Sequence, residues 1–258
     1  MSDFYLFRTA LRDLLRPGKL IAAAILIALP LLIGIVIKWK MDPETYEAAN
    51  QYGRWVVVYV FGFVLTILSV IFSSGIVAQE VEQKTIVYLL TRPLPRWRIL
   101  LMKFLAAILV TTAVCALATL SAALATFGPA KLGASPLGHD ILILPVGVTA
   151  YSAIFLLMGT LLNRPLILGL IFAFGWENLI GVLPGYGQYC SIMTYLRVLA
   201  PHELPEAMLR LISLNTAGVD PPSRTFSWIV MISLAVIALV SACIAFSTRE
   251  YVPREDAT

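Results

Sequence analysis

Long apolar runs, separated by short polar stretches, form the dominant pattern along this chain. Six of these runs are long enough to cross a hydrocarbon core, which requires about 20 helical residues. The runs are continuous, whereas the strands of a membrane β-barrel alternate over about ten residues, and lipid cannot satisfy exposed backbone polar groups. We therefore predict an all-α membrane protein. Its six transmembrane helices are expected over residues 20–37, 55–78, 99–127, 141–162, 166–183 and 227–246.

The first segment, residues 1–19, repeats its apolar positions at helical spacing. The apolar set is Phe4, Phe7, Leu11, Leu14 and Leu15, and the opposite, charged set is Arg8, Arg12, Asp13 and Arg16. This pattern predicts an amphipathic helix that lies at the membrane interface. Pro17 and Gly18 are expected to turn the chain into the first span. A solvated basic tail is the alternative.

Two polar-rich stretches between the predicted spans also show helical patterns. Residues 80–91 predict a short helix, which must end at the RPLP sequence because proline lacks an amide donor and restricts the residue before it. Residues 184–225 contain two amphipathic patterns, SIMTYLRVL and LPEAMLRLI, which predict short helices that cap the outer face. We expect residues 1–258 to form a single transmembrane domain.

Composition supports the membrane class. Apolar residues make up 59% of the chain and charged residues only 13%, whereas soluble domains carry roughly 25% charged residues. The net charge of +4 is typical of membrane proteins with basic cytoplasmic loops, so we expect no nucleic-acid partner. The three cysteines provide neither a disulfide framework nor a CxxC metal pair. KWKMDPE follows the first apolar run in place of a cleavage site, which indicates a retained span.

The basic residues predict the orientation of the chain. With both termini in the cytoplasm, twelve Lys and Arg residues fall in cytoplasmic segments and seven in outer segments. The positive-inside rule favours this topology. It places residues 78–103, between the second and third spans, in the cytoplasm.

The chain lacks the motifs of common membrane enzymes. It contains no HExxH zinc motif, no GxSxG nucleophile elbow and no GxxxxGKS/T phosphate loop. Its two histidines, His139 and His202, fall in predicted outer loops, so no span holds a serine–histidine pair. We expect no enzymatic activity and no metal site, and a nucleotide site would lie on another chain. An inverted repeat of the secondary-transporter type is not detectable.

Glu177 is the exception in the nearly uncharged spans; it lies in FAFGWENLIGVLPG, near the outer end of the fifth predicted span. A carboxylate at this depth is costly and is a candidate functional residue by default. Three interpretations remain open. The carboxylate could form a structural hydrogen bond with a neighbouring helix end or with Trp176, line a substrate pathway, or reach outer water.

The most charged interruption of the apolar pattern is AQEVEQKTIVYLLTRPLPRWRILLMK, residues 78–103. In its second half, Arg98 and Lys103 can extend to lipid phosphates and Trp97 suits the interface, so these three are predicted membrane-interface anchors. The apolar and acidic helix in its first half can dock a partner protein. An ordinary positive-inside loop with incidental acidic residues is the alternative.

This stretch resembles the signature of the ABC type-2 permease family, the membrane subunits of ATP-binding-cassette exporters. The matching residues are Glu80, Glu82, Thr85, Leu89, Leu90, Pro93, Arg96 and Lys103. Gln79, Lys84 and Met102 stand where the family usually has glycine. The sequence WENLIGVLPGYGQYCSIMTYLR also resembles the exit of the fifth span in the drug-export-like branch.

The resemblance implies a permease subunit that forms the pathway for ATP-driven export across a bacterial cytoplasmic (inner) membrane. Two permease copies, identical or different, would pair. Each would bind a cytoplasmic ATPase subunit that carries ATP and Mg, and this chain itself would bind no cofactor. Residues 80–91 would be the coupling helix. The ATPase-docking residues implied are Glu80, Glu82, Thr85, Leu89, Leu90, Pro93 and Arg96.

Two other functions remain open at this point. The chain could be a scaffold or force-transmitting ABC membrane subunit that moves no solute, or a secondary transporter outside the ABC class. The resemblance implies no particular substrate, because the family handles drugs, polysaccharides, lipids and ions.

Overall fold

The computed structural model describes residues 2–40, 47–82, 95–182, 186–200, 202 and 221–249. Within these ranges every regular element is a helix and no strand occurs, which confirms the all-α class. Five of the described helices are long and apolar enough to cross a membrane. The fifth predicted span falls on a shorter apolar helix, Pro165–Trp176.

We number the helices of the described ranges α1 to α8. They are α1 (Ser2–Leu14), α2 (Pro17–Lys40), α3 (Ala48–Arg54, Trp55–Leu65 and Thr66–Glu82 in succession), α4 (Arg96–Phe127), α5 (Leu137–Leu161), α6 (Pro165–Ile171, Phe172–Trp176 and Glu177–Val182 in succession), α7 (Ile192–Leu199) and α8 (Arg224–Thr248). The middle segments of α3 and α6 are π-helical. Short 3-10 helices occupy Pro129–Ala134 and Tyr186–Cys190.

Several helices extend beyond the apolar runs that predicted them. α3 begins with the polar segment Ala48–Arg54, ahead of the apolar run at residues 55–78. α2 begins at Pro17, the first helical position, where proline is tolerated because first-turn N–H groups have no partner within the helix. The apolar run therefore marks the part of each helix that suits hydrocarbon, and the backbone hydrogen bonds continue past it.

Side-chain hydrogen bonds identify which helix ends share a side of the bundle. Arg249, directly after α8, donates to the carbonyl oxygens of Thr160 (3.0 Å) and Leu161 (2.6 Å) at the end of α5. Arg96, at the start of α4, donates to the carbonyl oxygen of Arg249 (3.3 Å). α1 packs along α4. These ends lie together on what we call the N-terminal side; the opposite end of the bundle is the far side.

α3 and α5 pack against each other inside the bundle, while α2 and α8 lie at its surface. The apolar window of α3 is 67% buried, whereas the windows of α2 and α8 are 17% and 28% buried. Ile21 of α2, Ile167 of α6 and Ile237 of α8 are among the exposed large apolar side chains. Exposed apolar surface of this extent is typical of faces that contact lipid or another protein.

Close helix packing depends on two glycines. A β-carbon at Gly159 of α5 would lie 2.7 Å from the backbone oxygen of Ser74 in α3. A β-carbon at Gly34 of α2 would lie 2.6 Å from the β-carbon of Ala125 in α4. Both distances are too short for a side chain, so the backbones approach closely, as small residues allow in membrane helix pairs. The Gly159 contact joins α5 to α3 near the N-terminal side.

Candidate functional site

Glu177 begins the last segment of α6 and caps the N-terminus of α7. Its Oε1 accepts a hydrogen bond from the backbone N–H of Ile192 (3.1 Å), the first residue of α7. Its Oε2 accepts one from the hydroxyl of Ser191, the residue before that helix. A helix N-terminus carries unpaired N–H groups and a partial positive charge, so a carboxylate stabilises it.

Two further side chains surround this carboxylate. Tyr151 of α5, which is buried, lies near Glu177 and Thr66. Burial lowers the pKa of Arg197 of α7, and the neighbouring Tyr151 and Glu177 offset part of that effect. The guanidinium of Arg197 and the carboxylate of Glu177 are therefore close enough to attract each other electrostatically. We refer to Thr66, Tyr151, Glu177, Ser191 and Arg197 as the Glu177 cluster.

The Glu177 cluster connects α3, α5, α6 and α7. Thr66 directly follows the π-helical segment of α3, and its hydroxyl donates to the carbonyl oxygen of Phe61 (3.0 Å). The π-helical segment of α6 directly precedes Glu177. Widened helical turns of this kind are frequent at functional sites. The arrangement can hold α7 in a fixed orientation against the three longer helices.

This geometry bears on the three interpretations of Glu177. The carboxylate bonds to a neighbouring helix end, in the way that the first interpretation describes. The Trp176 ring stacks on Phe172, with ring centroids 6.4 Å apart. A pathway role for Glu177 stays a prediction.

A second buried polar cluster lies on the far side, where the sequence placed only a loop histidine. The hydroxyl of Tyr52 donates to Oδ2 of Asp140 (2.6 Å), and Nε2 of His202 lies 3.1 Å from Oδ1 of Asp140. These side chains are at most 3% exposed. We call Tyr52, Asp140 and His202 the Asp140 cluster. It joins the start of α3, the start of α5 and the chain after α7.

The sequence carries only weak signals for these clusters. Asp140 directly precedes the predicted fourth span, and Arg197 interrupts the apolar pattern of SIMTYLRVL. A charged residue beside an apolar face indicates a buried partner, because an isolated buried charge is costly. The identity of the partner is not readable locally, since Tyr52 and Asp140 are 88 positions apart.

The structure describes part of the predicted ATPase-docking stretch. Glu80 and Glu82 lie in the final turns of α3, and Arg96 begins α4. The other predicted docking residues lie outside the described residues: Thr85, Leu89, Leu90 and Pro93. The first residues of the predicted coupling helix, 80–91, therefore continue α3 without a break.

The predicted interface anchors lie at the start of α4. Trp97 is 44% exposed, and the guanidinium carbon of Arg98 lies 5.4 Å from its ring centroid. Lys103, further along α4, is half-buried. Together with Arg96, these residues bring three cations and an aromatic ring to the N-terminal side. This composition is typical of a membrane–water boundary.

Metal and cofactor chemistry receives no support from the part of the chain that the structure describes. In that part, no group of three or more His, Cys, Asp or Glu side chains could hold a metal ion. The predicted absence of a cofactor on this chain stays a prediction.

The helical bundle and its apolar surface define a multi-pass, all-α membrane protein. A family model described as ABC-2 family transporter protein matches residues 15–176, which is more than half of the 258 residues. The chain therefore belongs to the ABC-2 transporter family, as a membrane permease component. A comparison with curated proteins finds no match.

Family membership confirms the resemblance that residues 78–103 carry, and the whole of that stretch lies inside the matched range. ABC-2 permeases are transport components that are generally non-enzymatic and generally associate with an ABC ATPase subunit. The match ends at Trp176, directly before Glu177. It therefore includes the predicted docking stretch and only part of the Glu177 cluster.

Proposed function

We propose that the chain forms the membrane pathway of an ATP-driven exporter together with a separate cytoplasmic ATPase subunit that binds ATP and Mg. The observation that carries this proposal is the family match over residues 15–176, which includes the complete 78–103 stretch. The sequence has no phosphate-binding loop of its own. The nucleotide would therefore be bound by the partner.

Residues 80–91 are the proposed docking element for the ATPase. This assignment is supported by the course of α3, which runs helically from Ala48 to Glu82 and ends close to the start of α4 in sequence. A movement of the docking element would be transmitted along α3 to α5, because Gly159 packs directly on the Ser74 backbone. Closure of the ATPase would thereby bias the helices between two arrangements.

We place the N-terminal side of the bundle in the cytoplasm, with both termini there, and the membrane as a bacterial inner membrane. Basic residues on this side support the orientation through the positive-inside rule. Within the described ranges they are Arg8, Arg12, Arg16, Lys19, Arg96, Arg98, Lys103, Arg164 and Arg249. Against these nine, the described basic residues of the far side number six: Lys38, Lys40, Arg54, Lys131, Arg197 and Arg224.

α6 is proposed as the fifth of six spans in chain order. It starts just after the end of α5 on the N-terminal side, and its Glu177 reaches α7 on the far side. Its three segments contain 7, 5 and 6 residues, which extend roughly 27 Å at about 1.5 Å per residue. That length is close to the thickness of a hydrocarbon core, about 30 Å. α1, an amphipathic helix packed along α4, is proposed to lie at the interface.

A second permease copy, identical or different, is proposed to complete the pathway. α2, α6 and α8 each present exposed apolar side chains. One of these surfaces would contact the second copy, while the remaining surfaces would contact lipid.

Co-purification tests the proposed function. The tagged wild-type chain, extracted from its native membrane in detergent, should retain a protein that contains a GxxxxGKS/T loop, as identified by mass spectrometry. Glu82→Arg reverses the charge of a residue in the proposed docking element. It should lower the retained amount of ATPase by about tenfold, because a cation would then face a partner surface that accommodates a carboxylate. Glu47→Arg makes the same change beside the opposite end of α3 and should retain the wild-type amount.

Two results would contradict the proposal. Failure of the wild-type chain to retain any such ATPase would count against the ABC exporter assignment. Equal retention by Glu82→Arg and the wild type would count against residues 80–91 as the docking element.

A further inference from the structure

Arg249, the residue directly after α8, caps the C-terminus of α5. Its Nη1 donates hydrogen bonds to the carbonyl oxygens of Thr160 (3.0 Å) and Leu161 (2.6 Å), the last two residues of that helix. The carbonyl end of a helix carries a partial negative charge, so a guanidinium is favoured there. Because α8 also packs along α5, the ends of these two helices are held together on the N-terminal side.

The main chain of Arg249 contacts a third helix. Its carbonyl oxygen accepts a hydrogen bond from Nη1 of Arg96 (3.3 Å), the first residue of α4. Arg96 lies only a few residues after the proposed docking element, residues 80–91. Arg249 therefore joins α5 and α8 to the helix that leaves the docking element.

The helix that enters the docking element reaches the same turn of α5. Gly159 packs on the backbone of Ser74 in α3, where a β-carbon would lie 2.7 Å from the Ser74 oxygen. α3 therefore contacts α5 at Gly159, and α4 contacts it through Arg249 at the positions that follow. With one contact alone, a displacement of the docking element could be lost as a rotation about that contact. Two neighbouring contacts restrict such a rotation.

The last turn of α5 is also connected to the far side. α5 ends at Leu161 and α6 begins at Pro165, so the connection between them is short. α6 carries Glu177, which caps α7 on the far side. The last turn of α5 therefore lies between the docking element and the Glu177 cluster.

We propose that Arg249 is a positioning residue for the transport cycle. It fixes the start of α4 to the last turn of α5, so that a displacement of the docking element moves α5 and α6 together. The inference rests on the proposed function, because the displacement originates in the ATPase. Arg249 is exposed, and hydrogen bonds at an exposed position compete with water. Its main contribution is therefore to the coupling between helices and not to stability.

The reactivity of the native Cys190 tests this role, because Cys190 is exposed and directly precedes Ser191 of the Glu177 cluster. The full chain is reconstituted with its ATPase in nanodiscs. Mass spectrometry then gives the rate of maleimide modification at residue 190, with and without a non-hydrolysable ATP analogue. In the wild type the analogue should change this rate by about fivefold, as for coupling between distant sites. In Arg249→Ala this change should be lost, while the retained amount of ATPase stays that of the wild type.

Two matched variants separate positioning from net charge and from stability. Arg164→Ala removes another exposed cation from the same side and should keep the wild-type change at Cys190. Arg249→Lys keeps a cation that can donate hydrogen bonds to the carbonyl groups of α5. It should restore most of the change at Cys190, a recovery that follows from the retained hydrogen bonds.

The contrary results are distinguishable. An equal change at Cys190 in Arg249→Ala and in the wild type would overturn the role of Arg249, and so would a wild type that binds the ATPase without any change at Cys190. Reduced retention of the ATPase by Arg249→Ala would assign this residue to docking instead of positioning. Failure of the wild type to retain any ATPase would overturn the proposed function and this inference with it.

Discussion

The two sides of the bundle hold their charged groups in different ways. On the far side, the carboxylates of Asp140 and Glu177 bind buried or partly buried partners from several helices. On the N-terminal side, the ion pair of Arg16 and Asp13 has side chains that are 66% and 55% exposed. Buried hydrogen bonds between helices favour one arrangement of those helices, whereas exposed ion pairs contribute little to stability.

This contrast indicates which side of the bundle is available for a partner. On the far side, Asp140 and Glu177 accept hydrogen bonds from other segments of the same chain, so that side is suited to hold the helices together. Cations on the N-terminal side are positioned to exchange water for lipid phosphates or for a protein surface.

The comparison predicts its largest effect at Asp140. Asp140→Ala leaves the Tyr52 hydroxyl and His202 buried without their acceptor, so we expect the free energy of unfolding to fall by about 3 kcal/mol. Asp13→Ala, the same change on the N-terminal side, removes an exposed ion pair and should cost less than about 1 kcal/mol. Unfolding of both variants in one detergent, followed by circular dichroism, measures the two values. Similar losses in both would contradict the contrast between the sides.

Glu177→Gln is expected to have the next largest effect. The amide cannot supply the negative charge that caps α7 and faces Arg197, so the free energy of unfolding should fall by about 2 kcal/mol. Glu47→Gln changes an exposed glutamate on the same side and should stay within about 0.5 kcal/mol of the wild type. Transport assayed in vesicles alongside unfolding separates the roles: loss of transport with unchanged stability would favour the pathway role of Glu177 over the capping role.

Gly159→Ala tests the contact between α5 and α3. The added β-carbon would lie 2.7 Å from the Ser74 oxygen, and overpacking of this kind costs about 1–3 kcal/mol. Gly138→Ala, in the first turn of the same helix, meets nothing within 4 Å and should be neutral or slightly stabilising. The melting temperatures of the two glycine variants test this prediction. An unchanged melting temperature for Gly159→Ala would show that α5 is free to move away from α3.

Arg249→Ala should have the smallest effect. It removes two hydrogen bonds to the last carbonyl groups of α5 at an exposed position, so we expect a loss of about 1 kcal/mol. Arg224→Ala, at the other end of α8, removes a cation from a helix N-terminus and should be neutral or stabilising. Hydrogen–deuterium exchange over residues 158–162 should quicken in the first variant alone. Equal exchange rates in both variants would argue against capping of the α5 C-terminus by Arg249.

The sequence predicted the helices well because a hydrocarbon core imposes a simple requirement on composition. Apolar runs of about 20 residues locate α2, α4, α5 and α8, although Pro30 and Pro145 lie inside two of them. Helix ends were less predictable, since α3 continues into the polar segment Ala48–Arg54, where hydropathy carries no signal.

The partners within the two polar clusters could not be predicted from the sequence. Glu177 stood out as a carboxylate in an apolar segment, yet its partners Ser191 and Ile192 lie 14 and 15 positions later, across a turn. The sequence predicts His202 only as a loop histidine, because nothing nearby in sequence indicates that Asp140 lies beside it. Contacts of this kind depend on how helices pack, and the local pattern determines only which helices form.

Cysteine protection most directly tests the central claim that the N-terminal side is cytoplasmic and receives the ATPase. Lys84→Cys and Lys131→Cys would be introduced separately into a Cys190→Ser background and treated with a membrane-impermeant maleimide. We predict that residue 84 reacts in inverted vesicles stripped of peripheral proteins and becomes protected when the purified ATPase is restored. Residue 131 should react only in right-side-out vesicles, with or without the ATPase. Reaction of both residues from the same side, or unchanged reaction at residue 84 after the ATPase is restored, would contradict the account.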